Sequence, residues 1–453
     1  MNTIISISGS SGVGKTTLSR MISLVVGLDN VVHLCGDDLH LWERGDVNWE
    51  KHTHLNPEAN DLKRGVDDLT SLRNGKKIQR QKYNHDTGKF DPPAEVDPKS
   101  IIIYEGLHTL CADSAELSDI KIFVETDKKL KRQWKINRDT QKRGYTVEQV
   151  EDVLRRREQD ELLYIQPQKE NADAVIRFEE KRDRTVHLEY TANTKESLAL
   201  LERVKKMYDM HREFLLLCKK TSFEYDLVQH GGGNVSYKFE DKMIITSSGR
   251  DMSEVFMLSG FSVCDLSGVS IDNQRERPSM EVGFHSKINH PVVFHTHPIY
   301  LNTILCSNES EEIMSEILYE YDYDYVSYVT PGEDLSATLN QENVIILLEN
   351  HGLICSGSSF IEVFDTSMRI NQLCKEWLIR NSTTFKTFSC DTTNRDDGYL
   401  FPDAIVLKDK MQNINQYMLY IQSGVGLTPR LLPTSEVEKL LNMESEKYRM
   451  SLV

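Results

Sequence analysis

Short apolar runs alternate with longer amphipathic or charged stretches over residues 1–180 of the chain. The runs have the length and β-branched content of buried strands, and they are Ile4–Ser8, Val31–Cys35, Ser100–Tyr104, Ile120–Val124 and Ala174–Phe178. Between them, Thr16–Val26 and Lys128–Glu161 have the spacing of helices. Such alternation predicts an α/β domain whose parallel sheet is covered by helices on both faces.

The pattern changes after the fifth run. The polar stretch Glu179–Lys195 interrupts the alternation, so we predict two domains, at residues 1–190 and 191–453. A helix over Glu196–Cys218 opens the second domain. Further strands and helices are predicted at Lys242–Thr246, Pro291–His295, Val344–Leu348, Glu311–Tyr319 and Phe360–Arg380. This mixture predicts an α+β or mixed α/β fold.

Two segments of the second domain receive no predicted chemistry. The acidic and aromatic run Tyr319–Tyr328 is typical of a solvated turn or a sheet edge. The C-terminal tail Lys408–Val453 includes Glu436–Ser445, whose apolar spacing predicts a docking helix.

Composition limits the partners. The chain has 453 residues, of which 39% are hydrophobic and 27% charged, as in ordinary globular proteins of two or three domains. A formal charge of −16 argues against nucleic acid or an acidic membrane, because both require clustered cations. We predict no signal peptide and no membrane span. Eight scattered cysteines without a Cys-x-x-Cys pair favour free thiols in a cytoplasmic protein.

A glycine-rich segment stands between the first predicted strand and the first predicted helix. It reads Gly9-Ser10-Ser11-Gly12-Val13-Gly14-Lys15-Thr16 and matches the phosphate-loop pattern in the required context. Backbone N–H groups and a helix dipole suit such a loop to phosphate. Lys15 is expected to reach the outer phosphates and Thr16 to hold Mg²⁺. The loop predicts ATP and Mg²⁺ as cofactors, bound by Gly9, Gly12, Gly14, Lys15, Thr16 and Thr17.

Carboxylates follow two later strands, at the edge where α/β proteins bind ligands. Asp37 and Asp38 come after Val31–Cys35, and Glu105 comes after Ser100–Tyr104. A carboxylate at this edge is able to take the proton of an attacking hydroxyl. We therefore expect an acceptor-side base at the aspartates and a group that orients Mg²⁺ or its waters at Glu105.

Further motifs accompany these acids in order along the chain. They are Asp37-Asp38-Leu39-His40, Pro57-Glu58-Ala59-Asn60, Tyr83-Asn84-His85-Asp86-Thr87-Gly88, Asp91-Pro92-Pro93, Glu105-Gly106-Leu107-His108, Arg138-Asp139, Arg143-Gly144-Tyr145, Tyr164-Ile165 and Pro167-Gln168-Lys169. Over residues 3–178 this set resembles phosphoribulokinase more than the neighbouring uridine kinase family.

The resemblance implies a P-loop kinase with Asp37 as catalytic base and Glu105 as the Walker B-type acid. It also implies contacts to sugar phosphate, or to the phosphoryl group in transfer, by His40, Arg44, Lys135, Arg138, Asp139 and Arg143. Taken alone, the charges between Lys135 and Arg143 are typical of a solvated helix face.

Three histidines stand in the second domain. His295 and His297 are two residues apart on a predicted strand, so their side chains share one face, and Pro298 closes the strand. His351 lies in the turn Glu349-Asn350-His351-Gly352. Three histidines with an open position suit a catalytic Zn²⁺, or another divalent metal, although single histidines are more often structural.

A carboxylate and an anion site accompany the histidines. Glu281 precedes their strand and is a candidate for moving a proton beside a carbonyl that the metal polarises. Turn residues rich in glycine and hydroxyl groups predict a cradle for a substrate phosphate, formed by Gly233, Asn234, Ser248, Gly249 and Ser279. A surface acid and ordinary turns are the alternative interpretations.

These motifs resemble the class II aldolase/adducin family, close to fuculose-phosphate and rhamnulose-phosphate aldolases, over roughly residues 196–410. The carriers are Gly233-Asn234-Val235-Ser236, Ser248-Gly249, Pro278-Ser279-Met280-Glu281, His295-Thr296-His297-Pro298 and Asn350-His351-Gly352. The resemblance implies an α/β aldolase-like domain, Zn²⁺ on His295, His297 and His351, proton transfer by Glu281, and a homotetramer. Epimerases of the same fold carry aspartate at the position of Glu281, so glutamate favours an aldolase.

The two resemblances together predict a bifunctional enzyme. Its kinase is expected to phosphorylate O1 of a ribulose-like ketose or ketose phosphate with ATP. Its aldolase is expected to cleave the ketose 1-phosphate to dihydroxyacetone phosphate and an aldehyde. The alternatives are a kinase fused to a sugar-phosphate epimerase, and a chain in which one domain is regulatory or a scaffold.

Overall fold

The chain forms two compact units. The computed structural model describes residues 1–272, 276–339, 344–382 and 398–452. The contacts divide the chain into Met1–Asp209 and Met210–Val453. The boundary expected between residues 190 and 191 precedes this division and stays a prediction.

The first unit is built on a six-stranded sheet with two small hairpin pairings beside it. Its strands are β1 (Thr3–Gly9), β2 (Val31–Cys35), β3 (Ile78–Arg80), β4 (Tyr83–Asn84), β5 (Lys89–Phe90), β6 (Ala94–Val96), β7 (Ile101–Gly106), β8 (Ile120–Thr126), β9 (Ala174–Glu180) and β10 (Val186–Ala192). The sheet order is β10-β9-β8-β1-β7-β2, while β3 pairs with β6 and β4 with β5.

The sheet is parallel apart from one edge. β1 pairs in parallel with β7 and β8, and β7 with β2, so their carboxyl ends share one edge. β10 is antiparallel to β9 and lies in the polar stretch where no strand is expected from the sequence. The predicted α/β class with a parallel sheet is confirmed, and the five predicted strands are present within two residues of their expected ends.

Helices alternate with the strands along the sequence of the first unit. They are α1 (Lys15–Val26), α2 (Leu62–Arg73), α3 (Ala112–Leu117), α4 (Lys128–Arg143), α5 (Val147–Asp160) and α6 (Lys195–Phe223), the last of which contains the division between the units. Short 3-10 turns lie at Leu28–Asn30, Gly36–Leu39, Val47–Glu50, Pro57–Ala59 and Gln166–Asn171. A π-helical turn lies at Glu161–Ile165. The predicted helical stretch Lys128–Glu161 is therefore two helices, because Gly144 ends α4 and Thr146 caps α5.

The second unit has a seven-stranded mixed sheet. Its strands are β11 (Asn234–Phe239), β12 (Lys242–Thr246), β13 (Phe261–Asp265), β14 (Val292–Thr296), β15 (Asp324–Val326), β16 (Ile345–Leu348) and β17 (Gly352–Gly357), in the order β13-β12-β11-β14-β17-β16-β15. All pairings are antiparallel except β15 with β16. The run Tyr319–Tyr328 thus supplies the edge strand β15, one of its two predicted structures.

The helices of the second unit are mostly short until α11. They are α7 (Val282–Lys287), α8 (Ile299–Leu305), α9 (Ser310–Ile317), α10 (Glu333–Thr338), α11 (Phe360–Asn381), α12 (Pro402–Val406), α13 (Lys408–Val425), α14 (Thr434–Asn442) and α15 (Glu444–Ser451), and a 3-10 turn lies at Met252–Glu254. The predicted docking helix at Glu436–Ser445 corresponds to α14 and the start of α15, whose buried Leu440 packs with Ile405 and Leu432.

Two sequence expectations concern chemistry outside the sites. Seven of the eight cysteines lie in the described residues, and all seven are free thiols, while Cys390 lies outside them. Within the described ranges, no helix has both the length and the apolar character that a bilayer crossing requires.

Candidate functional sites

The phosphate loop links the central strand of the first sheet to a helix. β1 ends at Gly9 and α1 begins at Lys15, so the loop lies at the carboxyl edge between β7 and β8. Gly14 adopts a φ of 97°, which only glycine accepts readily, immediately before α1. The Nζ of Lys15 donates to the carbonyl oxygens of Gly9 and Ser10, at 2.9 Å each. Thr16 is exposed and Thr17 partly exposed at the helix N-terminus, where anions bind.

The two adjacent aspartates after β2 have different surroundings. Asp38 accepts from the Tyr83 N–H at 2.8 Å and pairs with the buried guanidinium of Arg80 at 3.4 Å. Asp37 instead lies 3.3 Å from His85 Nε2. Burial raises the pKa of Asp37, but the hydrogen bond from His85 and the charges of His40 and Lys15 outweigh burial and hold it well below its usual range. Asp37 is therefore the ionised carboxylate that is not committed to the packing of the fold.

Glu105 has the features of a cation ligand. Its Oε1 lies 3.5 Å from the Thr16 hydroxyl, and its buried Oε2 has no hydrogen-bond partner. Burial raises the pKa of Glu105 to about 7. A bound Mg²⁺ would satisfy the unpartnered oxygen and stabilise the ionised form, so Thr16 and Glu105 fit the ion.

Cations gather around a single carboxylate on α4. Asp139 contacts Lys135 at 3.1 Å, Arg138 at 2.8 Å and Arg143 at 3.5 Å. The Nη2 of Arg138 is buried without a hydrogen-bond partner. Burial lowers the pKa of Lys135 to about 7, which is the response of a cation placed among others. The excess of positive charge and the unpartnered donor suit a phosphate group.

His40 and Arg44 lie on the loop that follows Asp37. The Nδ1 of His40 is 2.8 Å from the Asn60 side-chain oxygen, and the His40 ring centroid is 5.3 Å from that of Tyr83. Arg44 donates to the backbone carbonyl oxygens of His85 and Asp86. The structure thus brings His40 into the electrostatic environment of Asp37, whereas Arg44 holds the loop that carries His85.

Three histidines converge in the second unit. His295 lies on β14, His297 follows the end of that strand, and His351 lies in the turn between β16 and β17. All three are buried, and each offers one ligand atom within 4.8 Å of the others. The Nε2 atoms of His295 and His297 are 2.9 Å apart.

The Nδ1 atoms of His295 and His297 have hydrogen-bond partners that fix the position of one proton on each ring. The Nδ1 of His295 lies 3.0 Å from the Leu353 carbonyl oxygen, and the Nδ1 of His297 lies 2.8 Å from an Asp403 oxygen. Both partners accept hydrogen bonds only, so both Nδ1 atoms carry the proton. Burial holds the pKa of His295 well below its usual range, which keeps the ring neutral. The neutral His295 ring therefore presents its Nε2 lone pair to the Nε2 of His297, and with His351 nearby the donor set fits a divalent metal.

Glu281 stands beside the histidines. Its Oε2 lies 3.4 Å from His295 Nε2 and its Oε1 3.3 Å from His351 Nε2. The Asn234 amide donates to Oε2 at 2.7 Å, whereas Oε1 has no hydrogen-bond partner. Glu281 thus presents one free carboxylate oxygen next to the candidate metal position.

A chain of hydrogen bonds orients Glu281. The Asn234 side-chain oxygen accepts from His285 Nε2, and the Nδ1 of His285 accepts from the Ser236 hydroxyl at 2.7 Å. Burial lowers the pKa of His285 to about 3, so this ring is neutral and carries its proton on Nε2. Asn234 is consequently fixed with its amide group toward Glu281.

A pocket joins the predicted phosphate cradle to this centre. Its lining comprises Gly231, Gly233, Asn234, Ser247, Ser248, Gly249, Ser279, Met280, Glu281, His297, Pro331, His351, Pro402, Asp403, Glu446 and Arg449. All five residues predicted for the anion site are included. The buried hydroxyl of Ser247 has no hydrogen-bond partner, and Gly249 has a φ of 72° at the turn. These groups offer donors beside Glu281.

Sequence reasoning missed residues that lie outside the motifs. Arg157 on α5 belongs to the cation group of the first unit, and burial lowers its pKa to about 10. His285 lies one helical turn after Glu281, a spacing that would have indicated it. Arg449 lies in the tail Lys408–Val453, to which the sequence assigned no chemistry, whereas Asp403 precedes that tail, and no spacing relates either residue to the histidines.

Comparison with known families matches each unit separately. The Phosphoribulokinase / Uridine kinase family matches residues 4–185, and the Class II Aldolase and Adducin N-terminal domain matches residues 212–378. A phosphoribulokinase of Synechocystis sp. is 35% identical over 174 residues, covering 38% of this chain and 52% of the relative. The chloroplastic phosphoribulokinase of Spinacia oleracea is 34% identical, covering 38% of this chain and 48% of the relative. The chain thus spans about half the length of these relatives.

Other relatives are matched over more of their length. A uridine kinase of Staphylococcus epidermidis is 32% identical, with 38% of this chain and 86% of the relative covered. Among solved structures, phosphoribulokinase from Rhodobacter spheroides is similar at 28% identity and a TM-score of 0.34, with 39% of this chain and 70% of that chain covered. An L-fuculose 1-phosphate aldolase is similar at 20% identity and a TM-score of 0.32, with coverages of 52% and 96%. The chain belongs to the phosphoribulokinase/uridine kinase family through residues 4–185, and this P-loop domain is fused to a class II aldolase/adducin domain at residues 212–378.

Proposed function

We propose that the chain is a bifunctional enzyme that phosphorylates a ribulose-like ketose, or ketose phosphate, at O1 and then cleaves the ketose 1-phosphate. The products of cleavage are dihydroxyacetone phosphate and an aldehyde. The observation that carries the proposal is that one chain holds two separate sites, each with an ionisable group free to move a proton. These groups are Asp37 beside the phosphate loop and Glu281 beside the three histidines.

In the kinase unit, ATP is placed by the phosphate loop. Lys15 exchanges its two backbone carbonyl partners for the outer phosphates, while Thr16 and Glu105 would hold Mg²⁺. Asp37 accepts the proton of the O1 hydroxyl as that oxygen attacks the γ-phosphoryl group, and ADP leaves. The cations beside Asp139 compensate the charge of the transferring group or of a second phosphate on the acceptor.

In the aldolase unit, His295, His297 and His351 would hold a divalent cation, for which three imidazoles favour Zn²⁺. The ion supplies Lewis-acid polarisation of the ketose carbonyl. As the C3–C4 bond breaks, its electron pair stays on C3, and the C4 hydroxyl gives its proton to the Glu281 carboxylate and becomes the aldehyde. Glu281 then delivers that proton to C3, which completes dihydroxyacetone phosphate; its unpartnered Oε1 beside His351 supports this role.

The first reaction prepares the substrate of the second. A phosphate on O1 gives the ketose an anionic group, and the pocket beside Glu281 is lined by Ser248, Gly249 and Ser279. Backbone N–H groups and hydroxyls at such a turn bind phosphate without a basic side chain. This fit supports the order of phosphorylation before cleavage.

The test measures both half-reactions on the full chain. Incubation with ATP, Mg²⁺, Zn²⁺ and a set of pentuloses should release ADP and dihydroxyacetone phosphate. Lys15→Ala should lose ADP release but still cleave a supplied ketose 1-phosphate, whereas His295→Ala should do the reverse. Absence of ATP-dependent triose phosphate from every ketose would contradict the coupled sequence.

The same variants separate the other functions. An epimerase would convert the sugar phosphate into an isomer without releasing triose phosphate. One further variant, Glu281→Gln, would distinguish isomer formation from cleavage. If one unit were regulatory or a scaffold, the variant within that unit, Lys15→Ala or His295→Ala, would lose neither half-reaction.

A further inference from the structure

A carboxylate from the C-terminal part of the chain supports one of the three histidines. Asp403 lies on α12, beyond residue 378, where the match to the aldolase domain ends. Its Oδ2 accepts from His297 Nδ1 at 2.8 Å, and its side chain is only 2% exposed. Histidine ligands of metals commonly donate their other ring nitrogen to such a carboxylate, which fixes the tautomer and the ring orientation.

The last helix holds this carboxylate in place. On α15, the Nη2 of Arg449 donates to Asp403 Oδ1 at 2.9 Å, and its Nη1 contacts Glu446 at 3.0 Å. All three side chains are buried. Burial raises the pKa of Asp403, but the guanidinium of Arg449 outweighs it, so the pKa lies well below the usual range. One oxygen of Asp403 therefore serves Arg449 and the other serves His297.

Packing and backbone contacts position this segment independently of the ion pair. Ile405 on α12 is buried with Leu432 and Leu440. The side chain of Asn350, the residue before His351, donates to the backbone oxygens of Leu400 and Arg430 at 2.6 and 2.7 Å. The segment is thus connected to the turn that carries the third histidine as well as to His297.

We propose that Asp403 is a positioning residue for His297 and that Arg449 acts through it, so that residues 400–451 complete the candidate metal centre. The proposal rests on the metal site of the proposed function. Without Asp403, the ring of His297 loses the partner that keeps its proton on Nδ1 and its Nε2 directed at the other histidines. A ring free to rotate or to change tautomer binds the ion less tightly.

The measurement is the affinity of the full chain for Zn²⁺, obtained by competition with a chromophoric chelator. Asp403→Ala should weaken binding about tenfold to 100-fold, the range known for such outer partners. Asp403→Asn, which keeps the volume and an oxygen that accepts from Nδ1, should fall between Asp403→Ala and the wild type. Glu444→Gln removes an exposed charge that contacts Lys447 on the same helix and should leave the affinity unchanged.

A double variant tests the role of Arg449. Arg449→Met alone should weaken Zn²⁺ binding, but it should add no further loss to Asp403→Ala, because the two act on His297 in series. Equal losses in both backgrounds would contradict that order. Thermal melting of each metal-free variant shows whether it is folded, and Asp403→Asn is the reference if Asp403→Ala does not fold.

The outcomes separate this proposal from the metal site itself. If His295→Ala abolishes Zn²⁺ binding while Asp403→Ala and Asp403→Asn bind like the wild type, the role of Asp403 is overturned and the metal site stands. If the wild type binds no Zn²⁺, or His295→Ala binds equally well, both proposals are overturned.

Discussion

At the scale of single residues, identical side chains have different roles because their neighbours differ. Asp37 and Asp38 are adjacent, yet they have different partners. Asp38 pairs with Arg80 and accepts a hydrogen bond from the Tyr83 N–H, while Asp37 contacts His85. The sequence indicated both aspartates as candidates for a base, and only the family resemblance preferred the first. The partners that distinguish them lie more than 40 residues away in sequence, beyond the reach of any local pattern.

Conservative substitutions should separate the two aspartates. Asp37→Asn removes the proposed base, so kcat for phosphoryl transfer should fall about 100-fold to 10,000-fold while the variant stays folded. Asp38→Asn weakens the buried pairing with Arg80 and should cost about 1–3 kcal/mol of unfolding free energy while retaining most activity. Steady-state kinetics and chemical denaturation of both variants give the answer. The reverse assignment of effects would exchange the roles of the two residues.

Glu105 should make stability depend on pH. Its pKa in the folded chain is raised by burial to about 7 from 4.5, so the folded state favours the protonated form. The stability that this protonation contributes is complete below pH 4.5 and is lost as the pH rises through about 7. Glu105→Gln, which stays neutral, should therefore match the wild type near pH 4 and exceed it by about 1–3 kcal/mol at pH 8 without metal or nucleotide.

The matched control for Glu105 is Glu116→Gln, because Glu116 is exposed on α3. Tryptophan fluorescence is the suitable signal, since Trp42, Trp49 and Trp134 lie in the first unit and only Trp377 in the second. A difference between Glu105→Gln and the wild type that is constant from pH 5 to pH 8 would show that Glu105 is not the titrating group.

At the scale of elements, the buried strands could be predicted because each is a short apolar run bounded by polar residues. The sequence placed β2 and β12 at their observed ends and missed β10, whose polar residues form an antiparallel edge that composition does not indicate. The two-residue period of a strand predicted that the side chains of His295 and His297 lie on the same face. The sequence could not show that β17 lies beside β14, which is the pairing that brings the turn with His351 to them.

The contact between β14 and β17 should depend on Gly352. A Cβ added at Gly352 would lie 2.3 Å from the Thr296 carbonyl oxygen and 3.0 Å from the His297 ring, and the first of these is a backbone atom that cannot move aside as a flexible side chain can. Gly352→Ala should therefore cost about 3 kcal/mol of unfolding free energy and weaken Zn²⁺ binding, because it separates the strands that carry the histidines. Scanning calorimetry and chelator competition measure the two effects.

The other end of the same strand provides the control for Gly352. The closest neighbour of a Cβ at Gly357 would be the flexible Glu362 carboxylate, at 3.0 Å, and Val363 Cγ1 at 3.6 Å is an ordinary contact, so Gly357→Ala should change the unfolding free energy by less than about 1 kcal/mol. Equal effects of the two alanines would show that the close approach at Gly352 does not control the metal site.

At the scale of the whole molecule, an acidic chain concentrates its cations where phosphate chemistry is proposed. The formal charge is −16, yet Lys135, Arg138, Arg143 and Arg157 share one region of the first unit. In the second unit, Arg449 contributes a guanidinium to the pocket but is already paired with two carboxylates. The net charge leads us to expect neither nucleic acid nor an acidic membrane as a partner, whereas the local distribution of charge supports the proposed substrates.

The extent of the kinase unit is the remaining question at this scale. The sequence predicts a boundary after residue 190, where the polar stretch lies, whereas the compact unit reaches Asp209. Residues beyond 190 contribute to that unit. The Tyr208 ring centroid lies 5.7 Å from that of Phe178, the Tyr208 hydroxyl donates to the Val186 oxygen at 3.0 Å, and Arg203 donates to the Val25 oxygen at 2.7 Å.

A fragment of residues 1–190 should thus lose buried aromatic area and two hydrogen bonds relative to a fragment of residues 1–209, a cost of about 2–4 kcal/mol of unfolding free energy. Its melting temperature should be lower by about 5 °C or more, measured by circular dichroism on the purified fragments. Equal melting temperatures would instead support the boundary at residue 190 and assign the whole of α6 to the aldolase unit.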